Sequence, residues 1–430
     1  MTELLNLREN FTLVGNARIS KDPLKYVVTA PSGKNGWTKE TINLGIQISD
    51  TNRIYVNQEA GYWSDEAIER TKNAVGKGSN GKDNMKQNWI YNGAMEDVET
   101  NGITTKKWVA DNIAFADRFK PEAIEKVQYF NRIRVALEPE MVGVNDEEGN
   151  IQTVPKKDDK GNIVYIEKDF IFVGDAIDYI KAHLSYDQRV YVSGSSEINQ
   201  YINTKSNKLV TQVNRRINQI RVAKDDEENE ATGITNFYFE KDGFDKSEFA
   251  KTKKYTIDGY RTYKNDDKKV VPVPTEYILD FSSPSVDWED ETIKAQVDYL
   301  VEVFETAKKD MIYSTSWRYM LFEGNEEQEL TEKDLSKDLQ KRVKLGFISL
   351  EEAIKQMRGG AIGDRIKVVK LVMPLGEENK VETDYTSDDL IAPVIENKVN
   401  KVQEKAKAEK EEKKEADTNN ITKKFDSMFK

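Results

Sequence analysis

One stretch of sequence, residues 168–223, constrains the fold most because its apolar pattern changes from strand to helix periodicity and back. Residues 169–173 are rich in aromatic and β-branched side chains, which is typical of a strand, and Gly174 ends that run. Alternation returns at 189–193, and 209–222 has the length of a long strand. Between the first two strands, the apolar positions at helical spacing are Ala176, Ile177, Ile180 and Leu184.

Two residues in this stretch are placed at the ends of predicted elements. Asp175 can cap the helix by accepting its free amide protons. Gly194 permits a bend or bulge where the strand at 189–193 meets a polar loop. A strand, a helix and then a hairpin of two strands is how an OB-fold barrel closes. The stretch therefore predicts the second half of such a barrel.

The same stretch resembles the bacterial-type single-stranded DNA-binding proteins. In family order, it contains FVGDAIDYIKAHL, RVYVSG, INQYINTKSNK and LVTQVNRRINQI. The opening of that family is similar to FTLVGNARISKDPLKYVVTAPSGK, which is followed here by TINLGIQIS. The resemblance implies an OB-fold DNA-binding domain over residues 1–223, interrupted by an insertion at about 50–162. Within the insertion, residues 108–119 and 127–137 are predicted as strands.

Length and composition limit the remaining organisation. A chain of 430 residues predicts two or more folded units. Residues 225–232 form an acidic linker, 234–395 an α+β region, and 396–430 a charged flexible tail. The predicted fold class is therefore β-rich α+β: an OB-fold barrel with an inserted subdomain, a C-terminal mixed α/β region and a tail.

Several classes of protein are excluded by what the sequence lacks. It has no Cys and one His, so we expect no disulfide framework and no multi-histidine metal centre. Its apolar runs are shorter than a membrane span, and its N-terminus differs from a secretory signal, which predicts a cytoplasmic protein. The net charge of −11 disfavours a general polyanion binder but leaves room for a local binding face.

The candidate contacts follow from the resemblance, because a single-strand binder needs flat rings for bases and cations for phosphates. Tyr201 falls at the stacking aromatic of the long hairpin, and Tyr26 at the aromatic after the first turn. The alternative is that these tyrosines pack across strands and that the cations are ordinary surface. The full predicted DNA-binding set is Tyr26, Lys34, Trp37, Arg53, Tyr55, Trp89, Tyr91, Arg189, Tyr191, Tyr201, Lys205, Lys208, Arg215 and Arg216.

The sequence departs from the family at two aromatic positions. The family often carries an aromatic residue before its third strand, where this chain has Glu167, and Val173 replaces the aromatic beside the strand-ending glycine. Phe170 and Phe172 are candidates to replace them, with packing in the core as the alternative. The other candidates are Trp37 upstream and the inserted aromatic residues Tyr55, Trp63, Trp89 and Tyr91.

Catalytic alternatives are poorly supported, and we predict no catalytic residue, metal or cofactor. GKGSNGK at 76–82 resembles a P-loop, but Asp83 stands where Ser or Thr would hold Mg²⁺. The acidic runs at 287–291 and 384–389 are typical of solvated faces rather than a two-metal site. His183 lies beside apolar helix residues, which favours packing.

The tail ends in a short apolar and acidic tip that can dock a partner protein, or can be the frayed end of a helix. The tip residues are Phe425, Asp426, Met428 and Phe429.

The predicted function is coating of single-stranded DNA, without strong sequence preference, during replication, recombination or repair. A bacteriophage source is predicted by analogy from the size of the additions, and the oligomeric state is open. The alternative is a protein-interaction or virion-assembly module that keeps an OB-like barrel without binding DNA. An accessory domain of a nucleic-acid enzyme is a third option.

Overall fold

The fold is described from a computed structural model. It describes residues 4–19, 27–32, 37–63, 89–100, 103–114, 117–145, 150–203, 209–265, 267–284, 286–324, 337–344, 349, 353, 366–376 and 379–391. The predicted P-loop-like segment at 76–82 and the tail at 396–430 lie outside these residues.

Strands dominate the described chain, and fourteen of them belong to one sheet. The strands are β1 Glu9–Arg18, β2 Val27–Ser32, β3 Trp37–Gln47, β4 Arg53–Trp63, β5 Trp89–Thr100, β6 Ile103–Ala114, β7 Ile133–Pro139, β8 Met141–Asn145, β9 Ile151–Pro155, β10 Tyr165–Phe170, β11 Arg189–Ile202, β12 Leu209–Val222, β13 Glu230–Asp245, β14 Lys254–Lys264, β15 Val270–Asp280, β16 Ile312–Gly324, β17 Ile366–Pro374 and β18 Val381–Glu382. The helices are α1 Pro121–Lys126, α2 Val173–His183, α3 Phe249–Thr252, α4 Glu291–Glu305 and α5 Lys337–Lys344, with 3₁₀ turns at Tyr129–Asn131 and Ser387–Leu390.

The first barrel is built from β1, β3, β4, β12 and β11. Strand β1 pairs with both β3 and β11, while β3–β4 and β11–β12 are antiparallel pairs. Strands β4 and β12 therefore run in the same direction, and side chains join them. The amide of Ile217 donates to the Gln58 Oε1 atom at 2.9 Å, and the Asn57 amide donates to Asn214 Oδ1 at 3.1 Å. Among the described residues no backbone ladder joins β4 to β12, so side-chain contacts complete this barrel, and its strand order is that of an OB-fold, as predicted.

Strand β7, like β4, runs parallel to β12. Strand β7 pairs in parallel with the end of β12, where Arg134 lies opposite Gln219, and β10 pairs with β7. Helix α2 follows β10 and buries Ile177 and Ile180 in the barrel core.

The region predicted as mixed α/β is a second closed barrel. Strand β13 pairs with β14 and β16, β14 with β15, and β16 with β17. A parallel pair between Ile278 and Lys370 joins β15 to β17 and closes the ring. As in the OB-fold, the first strand pairs with the second and fourth, the third runs parallel to the fifth, and a helix links the third to the fourth. That helix is α4, whose Phe304 stacks on Trp317 with ring centroids 5.4 Å apart.

The two barrels are fused through an antiparallel pair between their first strands. In this pair Leu13 of β1 lies opposite Ala231 of β13, and both are buried in one continuous core. Strand β13 begins at Glu230, inside the segment predicted as an acidic linker. The segment predicted as a linker therefore contains the start of a strand, and the strands before and after it belong to one sheet.

Two local predictions around α2 and β11 had different outcomes. The helix begins at Val173, so Asp175 lies in its first turn and pairs with Arg118 at 2.6 Å instead of capping it; the capping prediction is wrong. The predicted bulge is confirmed, because the register shifts at Gly194. A Cβ atom at this glycine would lie 1.8 Å from the carbonyl oxygen of Arg216. Strands β11 and β12 are therefore too close here for a residue with a side chain.

Candidate nucleic-acid interface

The candidate site is centred on the outer surface of β12. Side chains of a strand alternate between its two faces, and the bulge opposite Gly194 shifts this alternation by one residue. Ile217 and Ile220 point into the core and are fully buried. The outward positions on β12 are Asn214, Arg216, Gln219 and Arg221.

The two adjacent arginines predicted on β12 have different environments. The side chain of Arg215 is only 4% exposed, and its Nη2 atom lies 2.5 Å from Glu323 Oε1 of β16. Lys367 approaches the same carboxylate at 3.2 Å, and burial lowers the pKa of this lysine. Arg215 also donates to the carbonyl oxygen of Tyr55. Its guanidinium therefore joins the two barrels, and its burial argues against a contact with DNA.

Arg216 points in the opposite direction, onto the outer surface. It pairs with Glu197 of β11 at 2.7 Å, and both side chains are about half exposed. An exposed ion pair of this kind contributes about 0.2–1 kcal/mol, so a phosphate can displace the carboxylate at small cost. Arg216 is thus available for a backbone contact.

Strand β4 brings two of the predicted residues to the same side of the barrel. Tyr55 is 45% exposed, and its ring lies beside Gly45. Arg53 lies next along the strand face and donates to Gln47 Oε1 at 2.7 Å. The outer surface of the second and third strands of an OB barrel is where oligonucleotides bind in this fold.

Two other predicted residues, Arg189 and Tyr191, lie at the start of β11 and have different surroundings. Arg189 donates to Asn229 Oδ1 at 3.0 Å and to the carbonyl oxygens of Lys224 and Glu227. The guanidinium of Arg221 lies 4.1 Å above the ring of Tyr191, and its hydrogen bonds lower the pKa of Glu227. Arg189 is therefore committed to holding residues 224–229, whereas the Tyr191 ring stays beside the β12 surface.

The long hairpin that carries Tyr201 is anchored on the second barrel. Tyr201 is 42% exposed at the end of β11. On the opposite face of the hairpin, Ile198 and Val213 pack against Val271 and Val273 of β15. This packing fixes the outward direction of the Tyr201 side chain.

Two exposed aromatic residues that the sequence reasoning missed lie directly before β7. Tyr129 and Phe130 are 56% and 64% exposed, in a 3₁₀ turn within the segment predicted as a strand at 127–137. The guanidinium of Arg134 lies 4.1 Å above the Tyr129 ring. The Asn218 amide donates to the carbonyl oxygen of Phe130 at 3.4 Å, which fixes the turn beside the β12 bulge.

Glu167, where the resemblance leads us to expect an aromatic residue, lies on β10. In an OB barrel the third strand runs parallel to the fifth. Two strands run parallel to β12 here, β4 and β7, whereas Glu167 lies on β10, which pairs with β7. Tyr129 and Phe130 are the exposed aromatic residues that directly precede β7. A signal was present in the sequence, because YFNRIRV places two aromatic residues before an alternating run with two arginines.

We call the combined surface the β12 face. It contains four tyrosines, one phenylalanine and three arginines, of which Arg221 is tied to Glu227 and Arg216 to Glu197. Its residues are Tyr55, Asn57, Tyr129, Phe130, Arg134, Tyr191, Tyr201, Asn214, Arg216, Gln219 and Arg221.

Other predicted contacts fall outside what the structure describes. Tyr26, Lys34, Lys205 and Lys208 lie outside the described residues, as does the tip formed by Phe425, Asp426, Met428 and Phe429. The backbones of Trp37, Trp89 and Tyr91 are in strands β3 and β5, but their side chains are not described.

The described residues also bear on catalytic and membrane sites. Within the described ranges, no three His, Asp or Glu side chains are grouped to hold a metal ion. The ring of His183 packs 4.2 Å from that of Tyr179. None of the helices in those ranges is long and apolar enough to cross a membrane.

Comparisons with known proteins give a weak structural likeness. No protein-family model and no curated protein matches the sequence. Among solved structures, a deletion variant of the single-stranded DNA-binding protein from Thermus aquaticus matches with 11% sequence identity and a TM-score of 0.25. The match covers 75% of this chain and 89% of that chain. A likeness at this TM-score is too low to support a conclusion about this chain, so its fold rests on the strand pairing given above.

Proposed function

We propose that the protein binds single-stranded DNA through the β12 face, without strong sequence preference. The observation that carries the proposal is the set of exposed rings on an open barrel surface. Tyr129 lies under the guanidinium of Arg134 at 4.1 Å, and Tyr55 and Tyr201 are more than two-fifths exposed.

The chemistry of this face suits single strands better than duplexes. Stacking of a base on an aromatic ring contributes roughly 1–3 kcal/mol and tolerates any base, because every base has a flat π-face. In a duplex the bases already stack on each other, so the rings have nothing to bind. Arg134 and Arg216 supply positive charge for phosphates, which makes the binding weaken as salt concentration rises.

The finer parts of the function remain predictions. These are coating of long strands, a role in replication, recombination or repair, a bacteriophage source, and docking of a partner protein by the tail.

The test is fluorescence anisotropy of a labelled oligo-dT with the full chain, at low and high salt and with duplex DNA as competitor. We expect binding that weakens with salt and resists the duplex. The variant Tyr129→Ala removes one stacking ring and should weaken binding about 5- to 150-fold, from the 1–3 kcal/mol above. Tyr299→Ala is the matched control, because Tyr299 is equally exposed but lies on α4 of the second barrel.

Two results would contradict the proposal. Equal affinities for Tyr129→Ala and Tyr299→Ala would show that the β12 face is not the binding surface. Absence of binding at low salt would exclude DNA binding itself, and the protein-interaction module would then be the better hypothesis.

A further inference from the structure

The outer surface of the first barrel continues without interruption onto the second. Paired residues of adjacent strands point to the same face of a sheet, so their pairing can be followed across the fusion of β1 with β13. One row consists of Arg216, Ser195, Asn10, Ile234, Arg318 and Met373. The next row consists of Gln219, Ser193, Thr12, Thr232, Met320 and Lys370.

We call these two rows the inter-barrel strip. Its central positions carry small or uncharged side chains, and neither row contains an acidic residue, although the chain has a net charge of −11. Four strand spacings of about 4.8 Å separate Arg216 from Arg318, which is about 19 Å measured across the sheet. The strip has a cation at each side, and two carboxylates border it: Glu197 pairs with Arg216, and Glu230 accepts a hydrogen bond from Thr232.

The end of the strip on the second barrel has binding groups of its own. Arg318 is exposed on β16, and among the described residues the structure records no hydrogen bond or ion pair to its guanidinium. Met320 and Met373, beside it, are each about half exposed. An arginine without a partner, next to flexible apolar side chains, can contact a phosphate and the base attached to it.

The corresponding surface on the other side of this barrel is unsuited to DNA. On β14 and β15, exposed Asp258 lies opposite exposed Glu276, and Tyr260 opposite Pro274. Two facing carboxylates repel phosphates, so this second OB barrel lacks a favourable surface on its second and third strands. The positive surface of the second barrel is therefore the β16 side, which is continuous with the first barrel.

We propose that a single DNA strand bound at the β12 face crosses the fusion of β1 with β13 and reaches Arg318, so that both barrels share one binding track. This inference rests on the proposed function of the β12 face. It predicts two lengths of binding site: a short oligonucleotide occupies the β12 face alone, and a longer one also occupies the strip. OB barrels bind about 4–16 nucleotides each, so oligo-dT of about 4 and about 30 nucleotides separates the two cases.

The experiment compares Arg318→Glu with Lys294→Glu by anisotropy on both oligonucleotides. Lys294 is exposed on α4 and outside the strip, so this control makes the same change of net charge. We expect Arg318→Glu to weaken binding of the long oligonucleotide about 10-fold, and binding of the short one less than about 2-fold. The neutral variant Arg318→Gln should lower the salt slope on the long oligonucleotide by about 0.7, the value for one lost phosphate contact.

The outcomes distinguish this inference from the proposed function. If Arg318→Glu and Lys294→Glu behave alike on the long oligonucleotide while the wild-type chain binds the short one, the shared track is wrong and the β12 face stands. If the wild-type chain binds neither oligonucleotide, both proposals fail.

Discussion

The second barrel is closed by one parallel contact, and Asp280 on β15 supports it. Its carboxylate lies 2.7 Å from the Nζ atom of Lys370 on β17 and 3.7 Å from that of Lys254 on β14, and it is only 8% exposed. Burial alone would raise the pKa of Asp280, but hydrogen bonds from Lys370 and Ser282 outweigh it and lower the pKa from the ordinary 3.8 to about 2. The folded protein therefore favours the ionised form.

The magnitude of the effect follows from this pKa. At 1.36 kcal/mol for each pKa unit, the difference contributes about 2.5 kcal/mol to the free energy of unfolding at pH 7. Because the pKa is lower in the folded state, this stabilisation is complete above the unfolded pKa of about 3.9 and is lost as the pH falls toward 2. About half of it remains at pH 3.

The assay is urea unfolding of the wild-type chain and Asp280→Asn at pH 7 and pH 3, followed by tryptophan fluorescence. Trp317, fully buried in the core of the second barrel, reports on this region. We expect the variant to be less stable by about 2.5 kcal/mol at pH 7 and by about half as much at pH 3. Asp242→Asn, at an exposed position, should have no effect at either pH. A difference of the same size at both pH values would refute the ion-pair explanation.

Two further predictions concern the joints between strands. Arg215→Ala leaves Glu323 without its closest cation and should reduce the free energy of unfolding by about 3–5 kcal/mol in urea titrations, whereas Arg215→Met with Glu323→Leu should recover most of it. A loss below about 1 kcal/mol would contradict the buried pair. Gly194→Ala places a Cβ atom against the carbonyl oxygen of Arg216 and should cost about 1–3 kcal/mol, while Ser195→Ala, one residue on, should change thermal stability little. Equal melting temperatures for these two variants would contradict the close approach of β11 and β12.

The first barrel could be predicted from the sequence because its elements have strong local patterns. The strand at 209–222 coincides with β12, and the predicted bulge lies at Gly194. In each case residues close in sequence decide the outcome, so periodicity is sufficient.

The second barrel could not be predicted in the same way. Its closure depends on pairing β13 with β16 and β15 with β17, and these strands are far apart in the sequence. Alternation shows that a segment is a strand, but it does not show which strand pairs with it. A closed OB topology and an open mixed sheet therefore have the same local signature, and the region was predicted only as α+β.

The site was predicted in part for a related reason. The two arginines at 215 and 216 are adjacent, so a strand must place them on opposite faces, and alternation with Ile217 assigns Arg215 to the inside. The partner that makes this burial tolerable, Glu323, is on the second barrel and is known only from the fold. Tyr129 and Phe130 were missed because they lie inside the segment interpreted as an insertion, outside the motifs of the resemblance.

A buried hydrogen-bond network around Glu9, where β1 pairs with β13, aligns the two barrels. Glu9, at the start of β1, is buried and lies 2.7 Å from the Nη2 atom of Arg261 on β14, and it also accepts hydrogen bonds from Thr235 and Tyr319 of the second barrel. Burial and the Glu9 carboxylate raise the pKa of the Tyr319 phenol, which stays protonated as a donor. A buried pair of this kind adds little net stability compared with an apolar pair, but a shift of one residue would leave its charges unpaired at a cost of several kcal/mol. The network therefore favours one register of β1 on β13, and that register places Arg216 and Arg318 in a single row.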